Sequence, residues 1–320
     1  MPAHAFIFPG QGSQAVGMGR DLAAAFPAAR ELFEEVDETL KQRLSKLMIE
    51  GPAEALTLTE NAQPALMAMS LAVLRVLERE GGLTLARMAA VVAGHSLGEY
   101  SALAAAGSFS VADAARLLRL RGQAMQKAVP PGEGAMAALI GVEMEHAKEL
   151  CAEAAPDPET GDSQVIEPAN DNGGGQVVIS GHRAAIERAV EIARGRGIKR
   201  AMLLPVSAPF HCALMRPAAD EVAEALEKTP PQPPRVPLIA NVTAAKTTDP
   251  EEIRDLLIRQ VTATVRWRES VQAMTEIGVD SFIELGAGKV LTGLVRRIAP
   301  EAKTAAAGTP AEIEALSKVF

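Results

Sequence analysis

The run AHAFIF at residues 3–8 is almost wholly apolar, and Pro9, Gly10 and Gly12 break it, the pattern of a strand that ends in a loop. A helix is predicted over 28–43. In PALMAMSLAVLRVLERE, within 64–80, Leu66, Met69, Val73, Leu74 and Leu77 recur at helical spacing and predict one buried face. MAAVVAG, by contrast, is a short uninterrupted apolar stretch ending in glycine, as expected of a central parallel strand covered on both sides. EYSALAAAG and VADAARLLRLRGQAMQKAV read as two further helices, the second closed by Pro130 and Pro131.

From 132 to 204 the rhythm changes. Strand GAMAALIGV, helix EMEHAKELCAEA, strands QVIEPAN and QVVIS, helix RAAIERAVEIARGRG and strand IKRAMLLP follow in the order βαββαβ. DNGGGQ supplies the tight reversal between the middle strands, because glycine accepts positive φ at little cost. Helix 217–228, the proline-rich loop TPPQPPRVP, strand VPLIANV, helix PEEIRDLLIRQV, strand SFIEL and helix VLTGLVRRI complete the pattern. The expected fold is α/β. An α/β-hydrolase-like large subdomain with a parallel central sheet occupies 1–131 and 205–320, and a ferredoxin-like small subdomain is inserted at 132–204.

At 320 residues and 48% hydrophobic, the chain is long enough to bury such a core. No apolar run reaches the roughly 18 residues of a membrane span, and the start MPAHAFIFPGQGS has no signal-peptide pattern, so a cytoplasmic location is expected. Two cysteines and five histidines in no ligand spacing predict neither a disulfide framework nor a metal site. A net charge of −8 with one Trp and one Tyr argues against a nucleic-acid partner.

The chemistry concentrates in AVVAGHSLGEY. Strand, G-x-S-x-G and then helix is the context of a nucleophile elbow, in which a sharp turn lifts Ser96 above the sheet; the competing reading is an ordinary turn. Unpaired N–H groups at Leu97, where the helix starts, can hold developing negative charge. Serine needs a base. His95 adjoins Ser96 and points elsewhere, His4 reads as a core residue, and His146 and His182 read as surface residues of the insertion. His211, in LLPVSAPFHCALMRP, lies 115 positions after Ser96 and keeps the serine-before-histidine order of α/β hydrolases. Asp157, Asp162 and Asp171 all fall in the insertion, so spacing assigns no acid to a triad.

Arg121 lies in the apolar stripe formed by Ala114, Leu117, Leu118, Met125 and Ala128. Three readings compete there: an ion pair with a buried glutamate, a snorkelled stem with its head in water, or a bidentate clamp on a substrate carboxylate. GQGSQA after the first strand mimics a dinucleotide fingerprint, with Glu31 near the distance of a ribose-binding acid, yet the glycines of VGMGRDL interrupt the helix that fingerprint requires. Gln11 there is a candidate second wall of an oxyanion hole. GAGK at 286–289 lacks the full phosphate-loop pattern and reads as a βα turn.

Taken together, FPGQGSQ, TENAQPAL, GHSLGEYSAL, RGQAM, PFHCALM and ELGAGKVLTGL resemble, in order and along almost the whole chain, the malonyl-CoA:acyl carrier protein transacylases of bacterial fatty acid synthesis. The resemblance implies Ser96 as acyl acceptor, His211 as general base and Arg121 as partner of the malonyl carboxylate. Backbone N–H groups of Gln11 and Leu97 become the oxyanion hole, and Met125 and Phe210 join them in binding substrate. A main-chain carbonyl at Gln260, in LIRQV, orients the histidine in place of an acid. Phe210 resembles the malonyl-selective form, which leaves little room for an α-methyl branch, and Asn170 and Asn172 resemble cleft-lining residues. The partners implied are malonyl-CoA and acyl carrier protein, with no cofactor, no nucleic acid and no membrane, and a monomer is expected. Carrier docking would use Arg194, Arg196, Lys199 and Arg200, or Arg296 and Arg297. A serine esterase would share the elbow without needing Arg121, and a nicotinamide-dependent enzyme would use the N-terminal glycines.

Overall fold

The computed structural model describes residues 3–198 and 200–318. Its strands, in chain order, are β1 (Ala3–Phe8), β2 (Ala89–Gly94), β3 (Gly134–Ile140), β4 (Ile166–Gly173), β5 (Gln176–His182), β6 (Arg200–Leu203), β7 (Leu238–Ile239), β8 (Lys246–Thr247), β9 (Val279–Leu285) and β10 (Lys303–Ala307). Six of them form one sheet in the order β10-β9-β1-β2-β7-β8, parallel except for the β7–β8 pair. The chain is thus an α/β protein.

β1 and β2 sit in the middle of that sheet, which is why their sequences are apolar throughout. Side chains alternate between faces. Phe6, Phe8 and Val92 pack into the larger core with Leu66 and Leu97, and Ala5, Ile7, Val91 and Ala93 pack on the opposite face with Trp267, Val271 and Leu294. Helices therefore cover both faces, and the carboxyl ends of β1 and β2 open side by side.

The second sheet is antiparallel, in the order β4-β5-β3-β6, with helices Met144–Ala154 and Arg183–Gly195 between its strands in sequence. Alternation again assigns the faces: Ala137, Leu139, Val177 and Ile179 meet Leu150, Ile186 and Val190 under these helices, whereas Met136 and Val178 join the larger core. At the β4–β5 reversal Gly173, Gly174 and Gly175 have φ of 71, 59 and 71°, and a Cβ on Gly173 would lie 2.5 Å from Ile298. The two sheets are tied together where Asp171 N–H donates to Val265 O at 2.9 Å and Arg268 pairs with Asp171 at 2.8 Å.

Several elements escape the hydrophobic pattern. β10, KTAAA, is an edge strand of alanines held by backbone pairing to β9, and alanine carries no strand signal. VPLIANV keeps only two strand residues. Helix Trp267–Glu276 buries Trp267, Val271 and Met274, and helix Pro310–Ser317 starts from a Thr309–Glu312 capping box legible as TPAE.

Candidate active site

The elbow forms where β2 passes into helix Leu97–Ala105. Ser96 has φ 54° and ψ −111°, a left-handed conformation that a non-glycine residue holds only when its surroundings over-determine it. They do. Ser96 N–H donates to Asn241 Oδ1 at 2.8 Å, Asn241 Nδ2 donates to Gly94 O at 2.7 Å, and Gln260 Nε2 donates to Ser96 O at 3.0 Å. The glycines allow the compression: a Cβ on Gly94 would lie 1.9 Å from Gly98 O, and one on Gly98 would lie 2.2 Å from Phe8 O. Since those obstacles are backbone atoms, Gly98→Ala is expected to destabilise the fold by about 3 kcal/mol, measured by denaturant unfolding.

His211 is buried, and its Nε2 lies 2.7 Å from Ser96 Oγ. Its Nδ1 lies 2.8 Å from the main-chain oxygen of Gln260, at the end of helix Pro250–Gln260. A carbonyl only accepts, so Nδ1 carries the proton and Nε2 turns its lone pair to the serine. Burial, reinforced by the Arg121 charge, pushes the His211 pKa down to about 3, so the imidazole is neutral at physiological pH.

Arg121, on helix Val111–Lys127, is 1% exposed, which excludes the snorkelled reading. Among the described residues it makes no ion pair either. Its Nη1 donates to Gln63 Oε1 at 2.7 Å, and its Nη2 donates to Gln260 Oε1 at 2.8 Å and to Ser96 Oγ at 3.0 Å. The guanidinium carbon stands 5.6 Å from the Tyr100 ring centroid. Arg121 is thus a buried cation whose hydrogen-bond acceptors are all neutral, with the buried Glu99 carboxylate acting on it at longer range and its fork directed at the serine hydroxyl.

Ser96, His211, Arg121 and Gln63 line one cavity of about 530 Å³, together with Gln11, Leu97, Met125 and Phe210. Asn170, Asn172 and His95 also line it; Asn172 Oδ1 lies 2.9 Å from His95 Nε2, and the His95 and Trp267 ring centroids are 5.8 Å apart. His146 is exposed, and His182 Nδ1 accepts from Val165 N–H at 2.9 Å. Asp157 and Asp162 lie in an exposed loop of the insertion. Among the described residues no cluster of three or more His, Cys, Asp or Glu is placed to hold a metal.

The two phosphate-loop look-alikes resolve differently. After GQGSQA the next helix begins only at Arg20 and runs six residues, so the loop faces no helix dipole of the kind a dinucleotide needs. At GAGK the helix Val290–Ile298 is already capped: the buried Glu284 carboxylate accepts from Leu291 and Thr292 N–H at 3.1 and 2.7 Å, and Lys289 pairs with Glu312 at 2.6 Å. No anion-binding end remains free there.

Sequence reasoning passed over Gln63, Asn241 and Glu99. Glu99 Oε2 accepts from Gln260 Nε2 at 2.8 Å and from Asn241 N–H at 3.1 Å. Gln63 lies in TENAQPAL, one of the stretches that carry the family resemblance, and Asn241 follows the end of β7, where ligand-facing residues of parallel sheets gather.

The acyl transferase domain family matches residues 5–312 of the chain. The malonyl CoA-acyl carrier protein transacylase of Escherichia coli K12 is 47% identical over 315 residues, 98% of this chain and 99% of that protein. The crystal structure of an acyl-carrier-protein S-malonyltransferase from Bartonella henselae is 55% identical and superposes with a TM-score of 0.94 over 99% of both chains. A malonyl-transacylase solved in complex with the acyl carrier protein of a type II polyketide synthase is 43% identical, with a TM-score of 0.93 over 99% of this chain and all of that one.

Proposed function

This chain belongs to the acyl transferase domain family, and from that premise we propose that it moves malonyl from malonyl-CoA to the phosphopantetheine thiol of an acyl carrier protein through a malonyl-serine intermediate. The observation that carries the substrate is Arg121, a buried guanidinium held only by neutral acceptors beside Ser96 Oγ. The malonyl carboxylate completes it, and the planar fork suits two parallel hydrogen bonds.

Ser96 Oγ attacks the thioester carbonyl while His211 Nε2 takes its proton. The imidazolium is steadied by the Gln260 carbonyl on Nδ1. The oxyanion is met by N–H groups of Gln11 and Leu97, each worth about 3 kcal/mol in such a role. Collapse expels CoA as a thiol, with the proton returned by His211. The carrier thiol then attacks the ester by the same steps in reverse, and water is the acceptor this mechanism must avoid. Phe210, beside His211 and lining the cavity, restricts branching at the acyl α-carbon.

Incubation with malonyl-CoA is expected to yield a single covalent adduct on Ser96, visible by intact mass and peptide mapping, and discharged on adding holo-acyl carrier protein. An adduct released at the same rate by water alone would favour an esterase.

For carrier docking the reading favours Arg297, which lines the cavity and donates to Gln176 Oε1 at 3.3 Å. Arg196 is engaged with Glu153, Arg194 donates to Ala201 O, and Arg296 donates to Thr304 Oγ1, while Arg200 is exposed at the start of β6; Lys199 lies outside the described residues. The reading of two subdomains, 1–131 with 205–320 and 132–204, is supported by the separation of the strands into two sheets. Both cysteines are buried free thiols, which suits a reducing, cytoplasmic setting, and among the described residues no helix is long and apolar enough to cross a membrane.

A further inference from the structure

Three acidic side chains are buried among the described residues: Asp171, Glu284 and Glu99. Asp171 is paired with Arg268, and Glu284 caps helix Val290–Ile298. Glu99 has neither duty. It makes no ion pair, and its Oε2 accepts from the two residues that hold the site, Gln260 through Nε2 and Asn241 through its backbone N–H.

We infer that Glu99 is a positioning residue that supplies, by way of Gln260, the negative charge an aspartate supplies to the histidine of a conventional triad. The inference rests on the Ser96–His211 reading above. Gln260 is the link. Its main-chain oxygen receives His211 Nδ1–H, its side-chain oxygen receives Arg121, and its side-chain nitrogen donates both to Glu99 and to Ser96 O. The amide dipole is thereby clamped between a cation and a carboxylate, and the carbonyl that orients the base is held in place with it.

The need for such a charge follows from the chemistry. When His211 takes the serine proton it becomes a cation in a buried site that already contains Arg121, and a lone carbonyl dipole offsets only part of that repulsion. A carboxylate in the same network lowers that cost, and the Gln260 side-chain amide separates it from direct pairing with Arg121. The titratable groups acting on Glu99 are Arg121, from helix Val111–Lys127, and Tyr100, on its own helix, while Gln260 and Asn241 approach it as neutral donors. Burial raises its pKa to about 7 against the opposing pull of those donors and of Arg121. Its charge, and any contribution to rate, is therefore lost as the pH falls through that value.

Glu99→Gln retains an oxygen for both donors, removes the charge and puts an NH2 group in place of Oε1. The acylation half-reaction with malonyl-CoA, followed as CoA release in single turnover, keeps the carrier thiol out of the pH profile. Above neutrality the variant is expected to acylate about tenfold more slowly, with half-saturation by malonyl-CoA within about twofold of the parent. The parent's rate is expected to decline as the pH is lowered through about 7, and the variant's to stay level. An unchanged rate, or the same decline in both proteins, overturns the assignment. Should the variant not fold, a parent profile flat through that range overturns it alone. A parent that forms no acyl-enzyme at all would overturn the Ser96 reading, and this one with it, and that result is distinct from either of the others.

Discussion

Ser96→Ala is expected to reduce malonyl transfer by on the order of 10⁵-fold and to leave no acyl-enzyme. The loss is large because both half-reactions of the proposed mechanism meet at Ser96 Oγ, and among the described residues no other side chain hydrogen-bonds to His211 Nε2. Cys212, next in the chain, is buried with its thiol pKa raised to about 11 by desolvation, and its Sγ donates to Pro209 O at 3.2 Å. The substitution leaves the fold intact, since the bonds that hold the elbow use the backbone N–H and C=O of residue 96, which alanine keeps. Steady-state transfer to holo-carrier and intact mass after incubation with malonyl-CoA give the readout. An adduct persisting on another residue would remove Ser96 from the mechanism.

Arg121→Ala carries the second large effect, and its sign depends on the acyl group. Malonyl transfer is expected to fall by on the order of a thousandfold, the usual result of truncating one partner of a buried, hydrogen-bonded charge pair. Acetyl transfer has no carboxylate to lose. It also gains from removal of a buried cation, because the Arg121 charge is one of the forces that hold the His211 pKa near 3. With Arg121 gone the imidazole becomes a stronger base, so acetyl transfer should hold or rise while malonyl transfer collapses. Comparing kcat/KM for the two thioesters in parent and variant tests this, and equal losses for both would remove the clamp from the account. The same logic explains why the free protein tolerates the cation: Gln63, Gln260 and Ser96 satisfy its outer nitrogens, and Tyr100 lies against it, without neutralising it.

The degree to which these residues are legible beforehand differs by type. G-x-S-x-G announces itself because the turn demands small residues at fixed offsets, and the clashes at Gly94 and Gly98 give the reason. Arg121 is conspicuous as a charge in an apolar stripe, but the stripe leaves three outcomes open, and only burial with neutral acceptors chooses among them. Gln260 is legible only through the family resemblance, since a backbone carbonyl has no residue type to recognise. Glu99, three residues after the nucleophile, gives no sign in its own sequence that it faces inward to Gln260 and Asn241. β10 stayed hidden for a related cause: its partner is the backbone of β9, and its alanines show no alternation.

Hydrophobic periodicity and turn chemistry by themselves determined the α/β order, the βαββαβ insertion and the elbow that presents Ser96, because each depends on neighbours within a few positions. Folding alone decided that His211 meets Ser96 from 115 positions away, that its Nδ1 faces the main-chain oxygen of Gln260, and that Arg121 is left with neutral hydrogen-bond acceptors. Those outcomes depend on which strand ends converge at one edge of the sheet, and such convergence is set by long-range packing that no local stretch of residues records.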